Sequence, residues 1–371
     1  MHRTLGVLIV ILASAGGLTA QDSTPAVAPK TVAHVYIGPG TIGNTPEKIH
    51  AFAVSSAGGV TAVSGSPFLA RSLQTAVNSG YVFGTDGTYI TSYRRTSTGG
   101  LQAVSTINGL THNDTPKGSI VGSLKLDHTG TTLYAGEYEF QGADNNAYAV
   151  FKVGSNGALT FRTNSAISVD YGSPLQFSPN NQFAYNSGCY FADWQLNAFK
   201  RASNGTLMSF NPAAAMPPNP NDDICPFLPA VSAKGYLAVA YTDYVVDQTH
   251  VAIYRIASNG DLVMVDATAI SSLYNMAPSD MRFDPSGVYL AIAGKGIQTF
   301  SLNSNGTMAR LGSVLDSSVV FGQVAWDKNA HVYALSNTGL YLFYSHQTGL
   351  TKAGGPFGGA DSISLSVLPV N

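Results

Sequence analysis

The chain has 371 residues, a formal net charge of −2 and 11% charged residues, with 39 glycines, 19 tyrosines and 17 phenylalanines. Many glycines and aromatic residues with few charges favour strands and tight turns over helices. A nearly neutral chain without a basic run excludes the electrostatic binding of nucleic acid.

The first twenty residues have the pattern of an export signal. His2 and Arg3 give a short basic start, Leu5–Leu12 is an apolar run, and Ala13–Ala20 is rich in small residues. The apolar run is too short to span a bilayer, so we expect cleavage after Ala20 and no membrane span in the mature chain. The sequence therefore predicts a secreted or periplasmic protein.

This prediction divides the chain into three segments. Residues 1–20 are the predicted signal peptide, residues 21–31 a polar linker, and residues 32–371 a single domain. Two domains are the usual expectation for this length, but all-β folds often exceed it as one unit. We also expect a monomer.

The only cysteines are Cys189 and Cys225. Outside the cytoplasm a disulfide between them is favoured, and chain entropy limits its contribution to about 4 kcal/mol. Two buried thiols that never meet are the alternative. No pair of histidines accompanies them, so they do not indicate a metal site.

One sequence unit recurs seven times. Each copy has an aromatic residue followed six positions later by glycine: Phe52/Gly58, Tyr93/Gly99, Phe151/Gly157, Phe199/Gly205, Tyr254/Gly260, Phe300/Gly306 and Phe343/Gly349. Successive aromatic residues lie 41 to 58 residues apart, the length of one propeller blade. Seven copies predict an all-β fold, a seven-bladed β-propeller.

Each copy has the pattern of two hairpins. In the outer hairpin, Val251–Ile256 alternates as a half-buried strand does, and Ser258–Gly260 supplies a turn that tolerates positive φ. In the inner hairpin, Met281–Phe283 precedes the turn Asp284–Gly287 and the apolar Val288–Ala291. Two hairpins per copy predict blades of four antiparallel strands.

The two ends of the repeat region are incomplete. His34–Gly38 matches a second strand without a first, and Ser362–Leu368 matches a first strand with nothing after it. We therefore expect the C-terminal strand to pair beside His34–Gly38 and close the ring, which removes open sheet edges. A linear β-solenoid, the alternative, needs no complementary ends.

Two insertions lengthen their copies. Thr106–Ser119 and Met216–Asp223 are expected to form loops over a propeller face. A tolerated surface insertion and a pocket lid are the two alternatives for their role.

Several segments resemble one family of propellers. Ile49–Val54, Gly58–Val60, Val63–Phe68, Phe283–Gly287 and Gly355–Phe357 are similar to segments of the lactonase-type seven-bladed propellers, which include 6-phosphogluconolactonase-like and muconate cycloisomerase-like proteins. The resemblance covers essentially the whole mature chain and rests on structural residues. It implies a carbohydrate-related activity, the opening or closure of a lactone ring by His, Arg and Glu side chains in the central cavity.

Polar residues lie near the predicted starts of the inner strands, which line the channel of a propeller. A lactone hydrolase needs a base to activate water and a cation or donor for the oxyanion. His112 or Asp280 is the candidate base, and Lys117 or Arg282 the candidate electrophilic partner. Candidates for ligand binding at the same strand starts are Asp114, Asp170, Tyr171, Asp222, Asp223 and Asp361. Alternatively, these aspartates hydrogen-bond the backbone amides of turns.

Common catalytic motifs are absent, including Gly-x-Ser-x-Gly and His-Glu-x-x-His. Carboxylates such as Asp222, Asp223 and Asp280 suit a divalent cation, but their spacing matches no defined loop. The prediction is therefore a protein without a cofactor.

Two functions of different classes stay open. One is a binding propeller that takes a small sugar-like ligand or a protein or glycan partner, which the low density of ionisable residues and the export signal favour. The other is a hydrolase that opens a sugar or related lactone, which the resemblance favours. A fold alone does not decide between them.

Overall fold

The computed structural model describes residues 29–38, 48–111, 119–138, 147–166, 175–190, 193–211, 224–243, 248–270 and 278–370. The described residues form 27 β-strands and no α-helix, as the composition predicts. None of their elements is a helix long and apolar enough to cross a membrane. The predicted signal peptide lies outside the described residues.

The first eight strands are β1 (Thr31–Gly38), β2 (Lys48–Ser55), β3 (Val60–Ala62), β4 (Phe68–Leu69), β5 (Gln74–Val77), β6 (Tyr81–Thr85), β7 (Tyr89–Arg95) and β8 (Leu101–Asn108). The next eight are β9 (Ile120–Leu126), β10 (Thr132–Tyr138), β11 (Ala147–Val153), β12 (Leu159–Ala166), β13 (Gln176–Phe177), β14 (Phe183–Tyr190), β15 (Asp193–Arg201) and β16 (Leu207–Phe210). The last are β17 (Ile224–Val231), β18 (Tyr236–Asp243), β19 (Gln248–Ile256), β20 (Leu262–Ala269), β21 (Asp280–Phe283), β22 (Tyr289–Leu302), β23 (Met308–Trp326), β24 (His331–Ser336), β25 (Gly339–His346), β26 (Gly349–Phe357) and β27 (Ser364–Pro369).

Most of these strands form sheets of four consecutive antiparallel strands. Four such sheets are β5–β8, β9–β12, β13–β16 and β17–β20. A fifth has the order β27-β1-β2-β3, with β4 also paired to β2. The predicted pair of hairpins in each sequence copy is therefore confirmed in these sheets.

The sixth sheet has six strands, β21 to β26, and contains two copies of the sequence unit. Within β22 the chain turns back on itself at Gly296, where φ is 91°, and the Leu302 amide donates to the Val288 carbonyl at 2.7 Å. The beginning of β23 pairs with β22, and its end pairs with β24. The seven predicted copies thus appear as six hydrogen-bonded sheets because β23 belongs to two copies.

The sheets are arranged in a closed ring. The first strand of each copy is β27, β5, β9, β13, β17, β21 or, for the copy that shares a strand, the end of β23. These first strands contact one another around the ring: β27 with β5, β5 with β9, β13 with β17, β17 with β21, β21 with β23, and β23 with β27. A hydrogen bond of 3.2 Å from Lys125 Nζ to Gln176 Oε1 joins β9 to β13. The chain therefore forms a β-propeller whose first strands surround a central channel.

The predicted closing strand is present. β27 pairs antiparallel with β1, with Val367 opposite Val35 and Ser364 opposite Gly38. This strand begins two residues later than the predicted Ser362–Leu368 and ends at Pro369. The pairing of the C-terminal strand beside His34–Gly38 is confirmed.

One predicted insertion begins later than expected. The prediction placed Thr106–Ser119 in a loop, but residues 106 to 108 continue β8, and Asn108 pairs with Tyr89 of β7. Ile107 packs against the core between two sheets, which explains why the strand extends. Residues 112–118 and the whole of Met216–Asp223 lie outside the described residues.

The hydrophobic core lies between neighbouring sheets. In one such layer, Phe83 and Ile90 from β6 and β7 pack with Val121, Leu133 and Phe151 from the next sheet, all with no measurable solvent exposure. Burying a side chain of this size contributes about 1.5–3 kcal/mol. The central strands are buried along continuous runs, as in β6 and β7, so the apolar side chains on both of their faces stabilise the contacts between consecutive copies.

We use the word unit for one sequence copy with its two hairpins. At six boundaries between units, a tyrosine hydroxyl donates to a backbone carbonyl in the outer turn of the next unit. These inter-unit tyrosine bonds are Tyr36 to Gly99, Tyr81 to Ser155, Tyr134 to Gly205, Tyr185 to Gly260, Tyr236 to Ser304 and Tyr344 to Ala57.

Two structural features explain why glycine recurs at this position of the repeat. All seven have positive φ, which side chains rarely adopt. In addition, a Cβ atom at Gly58, Gly157 or Gly306 would collide with the tyrosine ring of the preceding unit. The aromatic–glycine repeat therefore reports turn geometry and packing between units at once.

Candidate functional site

The first strands bring a group of polar side chains into the central channel. We call Lys125, Gln176, Asp280 and Arg282 the channel cluster. Asp280 and Arg282 stand at alternate positions of β21, and their side chains form an ion pair with Nη1 and Oδ1 3.2 Å apart. Asp280 is buried, whereas about a third of the Arg282 side chain is exposed.

Backbone groups hold Asp280 in place. Its Oδ1 accepts a hydrogen bond from the Met281 amide at 2.9 Å, and its Oδ2 accepts one from the Val324 amide of β23 at 3.0 Å. The indole of Trp326 donates to the Arg282 carbonyl at 2.9 Å, which fixes the backbone at the arginine. Both carboxylate oxygens of Asp280 are therefore already bonded, and β21 is tied to its neighbour.

Lys125 reaches the cluster from β9. It lies between Leu124 and Leu126, keeps partial solvent exposure and donates to Gln176. The pKa of Lys125 is lowered to about 7, chiefly by burial and in addition by the charge of Arg282, while the charge of Asp280 acts to raise it. Because β9 and β21 are not neighbours in the ring, these charges act across the channel.

Burial has the opposite effect on the carboxyl group. It raises the pKa of Asp280, while the charge of Arg282, the amides of Val324 and Met281, and the charge of Lys125 oppose the increase. The cluster thus holds two cations against one carboxylate. Burial disfavours the charged form of Lys125, and such perturbed groups are frequent at functional sites.

Part of this cluster is predictable from the sequence. Asp280 and Arg282 were predicted as catalytic residues, and the structure brings them together at the channel. Lys125 and Gln176 were missed. A lone lysine between two leucines of an inner strand was the available signal, but the same pattern fits a solvent-facing lysine of an edge strand.

Asp361 lies elsewhere. It is exposed, has a φ of 61°, and its amide donates to the Asn337 carbonyl at 2.7 Å. With Gln323 and Ser362 it lines a cavity of about 520 Å³ beside the start of β27. No ion pair between described residues joins Asp361 to the channel cluster. The predicted convergence of Asp361 with Asp280 is therefore not seen in the described contacts.

The other predicted site residues lie outside the described residues. They are His112, Asp114, Lys117, Asp170, Tyr171, Asp222 and Asp223. Their roles in catalysis or ligand binding stay predictions.

The alternative role of aspartate, the bonding of backbone amides, is also observed. Asp284 Oδ1 accepts from the amides of Val288 and Tyr289, at 2.8 and 2.7 Å. Asp280 itself bonds two amides, as described above. An aspartate of this fold can therefore be structural and still stand at the channel.

The structure tests the predicted disulfide only at Cys225. Cys225 is disulfide-bonded, and no cysteine of the described residues is free. The side chain of Cys189 lies outside the described residues, so its pairing with Cys225 stays a prediction.

Among the described side chains, no group of three or more His, Cys, Asp or Glu could hold a metal ion.

Comparison with protein families and with curated proteins finds no match. Solved structures do match in fold. A protein from Lactobacillus plantarum is similar with a TM-score of 0.68 and 13% identity, over 91% of this chain and 99% of that one. The β-propeller domain of Cps50 (Swd1) from Myceliophteria thermophila is similar with a TM-score of 0.53 and 13% identity, over 76% and 86%.

A further similar structure is Sqt1 from Chaetomium thermophilum bound to the N-terminus of the ribosomal protein L10. Its TM-score is 0.51 and its identity 12%, over 87% of this chain and 84% of that chain. At such identities these likenesses show the β-propeller fold alone.

Proposed function

We propose that the protein is an exported, seven-bladed β-propeller that binds a small sugar acid in its central channel. The observation that carries the proposal is the channel cluster, in which Lys125 and Arg282 bring two positive charges against the single carboxylate of Asp280. A ligand carboxylate offers both cations an acceptor, and Arg282 suits the planar geometry of a carboxylate. The hydroxyl-rich remainder of a sugar acid fits polar side chains such as Gln176.

The blade number rests on the six-stranded sheet. Its two units share β23, and β22 turns back on itself within the first of them. With these units as separate blades, the ring of first strands β27, β5, β9, β13, β17, β21 and β23 supports a count of seven. The paired β1 and β27 support closure by the C-terminal strand.

The state of Asp280 favours binding over catalysis. A general base needs a lone pair within hydrogen-bond distance of the proton that it removes, and hydrogen bonds donated to a carboxylate make it a weaker base. Both oxygens of Asp280 accept backbone hydrogen bonds, and one of them also faces Arg282. Asp280 therefore suits the role of orienting Arg282.

The proposal is tested by calorimetric titration of the purified protein with gluconate and with uncharged glucose. We expect gluconate to bind and glucose to bind far more weakly. Arg282→Met and Lys125→Met are each expected to weaken gluconate binding about tenfold to a hundredfold, the effect of one hydrogen bond to a charged group. Arg310→Met and Lys200→Met, which remove exposed cations, are expected to bind as the unchanged protein does. Equal affinity for both sugars, or unchanged binding by the channel variants, would contradict the proposal.

Binding of gluconate should depend on pH through Lys125. Its amine is mostly protonated below the lowered pKa of about 7 and mostly neutral above it, so affinity for an anion falls as pH rises. If only the charged form binds, the affinity drops about tenfold between pH 6 and pH 8. Titrations at both pH values measure this. Lys125→Met should remove most of the difference, and an unchanged difference would contradict the role of Lys125.

A lactone hydrolase is the second candidate, and the lowered pKa of Lys125 is the observation that favours it. A neutral Lys125 amine could take a proton from the water that attacks a lactone carbonyl, while Arg282 stabilises the oxyanion. The ring oxygen would then leave and take up the proton, which yields the hydroxy acid. Acid release from glucono-δ-lactone, lost in Lys125→Met and retained in Lys200→Met, would establish this reaction. Gluconate binding without acid release would restrict the channel to binding.

Protein or glycan partners are a further candidate. The similar propeller found with the N-terminus of a ribosomal protein supports a protein partner for this fold in general. We also propose that the protein is a monomer, that it is periplasmic or secreted, and that it holds no resident cofactor. Residues 1–20 support export, and N-terminal sequencing of the mature protein tests it.

A further inference from the structure

One boundary between units differs from the six that have an inter-unit tyrosine bond. It is the boundary within the six-stranded sheet, between the unit of β21 and β22 and the unit of β24 to β26. Tyr289 begins β22, just as Tyr81 begins β6 and Tyr236 begins β18. Those two tyrosines bond Ser155 and Ser304, each two residues before a repeat glycine. The equivalent acceptor for Tyr289 is Gln347, two residues before Gly349.

The bond between Tyr289 and Gln347 is not made. The hydroxyl of Tyr289 has no hydrogen bond to any residue that the structure describes, and none of these residues donates to the Gln347 carbonyl. Between them lies a cavity of about 770 Å³, which Trp326 and His346 also line. We call this cavity the inter-unit cleft. Its volume is that of a small-molecule or side-chain binding pocket.

The position of the outer turn explains the opening. A Cβ atom at Gly349 would meet the backbone of Leu311 and Gly312, at 3.1 Å in each case, rather than an aromatic ring. A Cβ atom at Gly312 would in turn meet the Thr348 carbonyl at 2.8 Å. The turn therefore packs backbone to backbone against β23, and no aromatic ring is among the atoms nearest to Gly349, as a tyrosine ring is at Gly58, Gly157 and Gly306.

We propose that the inter-unit cleft binds a tyrosine side chain of a partner polypeptide. The occupant follows from the repeat itself, because a tyrosine hydroxyl donates to an outer-turn carbonyl at the six other boundaries, whereas no described residue donates to the Gln347 carbonyl here. Here the cleft offers Tyr289 and Trp326 as aromatic walls and the Gln347 carbonyl as an acceptor. Offset or edge-to-face contacts with such walls stabilise an inserted ring, and the carbonyl selects a ring that carries a hydroxyl. None of the four residues of the channel cluster lines the cleft, although the Trp326 indole that forms one wall also donates to the Arg282 carbonyl.

The test compares two probes, N-acetyl-Gly-Tyr-Gly-amide and its phenylalanine counterpart, by ligand-observed NMR titration of the whole protein. We expect the tyrosine peptide to bind with millimolar affinity, and the phenylalanine peptide to bind about threefold to tenfold more weakly, the effect of one neutral hydrogen bond. Thr348→Trp, which fills the cleft from its exposed turn, is expected to abolish binding. Asn305→Trp is the matched control, since Asn305 precedes Gly306 as Thr348 precedes Gly349, at a boundary where Tyr236 already makes the bond.

The outcomes separate clearly. Equal binding of both peptides, no binding at millimolar concentration, or binding that Thr348→Trp leaves intact would each overturn the proposal. If Thr348→Trp does not fold, Tyr289→Ala removes one aromatic wall and should weaken binding of both peptides. Lys125→Met is expected to bind the tyrosine peptide as the unchanged protein does. Peptide binding is therefore measured separately from binding in the channel, and failure of one proposal does not imply failure of the other.

Discussion

Replacing Arg201 by methionine is expected to lower the free energy of unfolding by about 3 kcal/mol. Arg201 Nη2 lies 2.9 Å from Asp127 Oδ2, and the guanidinium also donates to the hydroxyls of Tyr134 and Thr132, at 2.8 and 3.0 Å. The Asp127 side chain is 1% exposed. Removal of the cation leaves a buried carboxylate without its counter-charge, which is among the larger effects of a single substitution. Urea denaturation measures the change.

The design of this experiment has two controls. Arg310→Met removes an exposed cation from β23 and should change the free energy of unfolding by less than about 0.5 kcal/mol. The double variant Arg201→Met, Asp127→Asn also lacks the buried negative charge, so it should recover part of the stability that Arg201→Met loses. A loss below about 1 kcal/mol in Arg201→Met would show that the turn amides and hydroxyls around Asp127 suffice without the arginine.

The repeat architecture was predictable because each unit is encoded locally. An aromatic residue, a polar turn and a glycine of positive φ stand within seven residues, and two incomplete ends predict their own pairing. The sharing of β23 between two units was not predictable. It depends on whether residues 312 to 319 continue a strand, and the polar Asp316, Ser317 and Ser318 give no local indication that they do.

The candidate site was predictable only in part, for a related reason. Asp280 and Arg282 stand two positions apart on one strand, so their contact is a local property. Lys125 belongs to a strand more than a hundred residues earlier and reaches them only because the ring closes. Asp361 matched the same local pattern but lies beside the start of β27, where its amide bonds Asn337. Local sequence therefore predicts which strand a charge belongs to, while the closed ring decides which charges meet.

Gly157→Ala is expected to lower the free energy of unfolding by about 2–4 kcal/mol, from strain of the backbone and collision with a neighbouring ring together. Gly157 has a φ of 83°, and a Cβ atom there would overlap the ring of Tyr81, whose hydroxyl bonds Ser155 in the same turn. Gly235 is a matched control, because its φ is 81° and a Cβ atom there meets nothing within 4 Å. Gly235→Ala should lower the stability by only about 1 kcal/mol, the backbone contribution alone.

The difference between these two variants measures what the repeat glycine does beyond forming a turn. If Gly157→Ala and Gly235→Ala lose equal stability, the glycine is required only by its φ, and the tyrosine ring moves aside freely. If Gly157→Ala loses more, the glycine is required by contact with the preceding unit. Gly157→Ala with Tyr81→Ala then separates the two effects, because loss of the ring removes the collision and leaves the backbone strain. The extra loss should disappear in that double variant, so that a local sequence pattern would be explained by a contact between two units, made by residues that lie 76 positions apart in the chain.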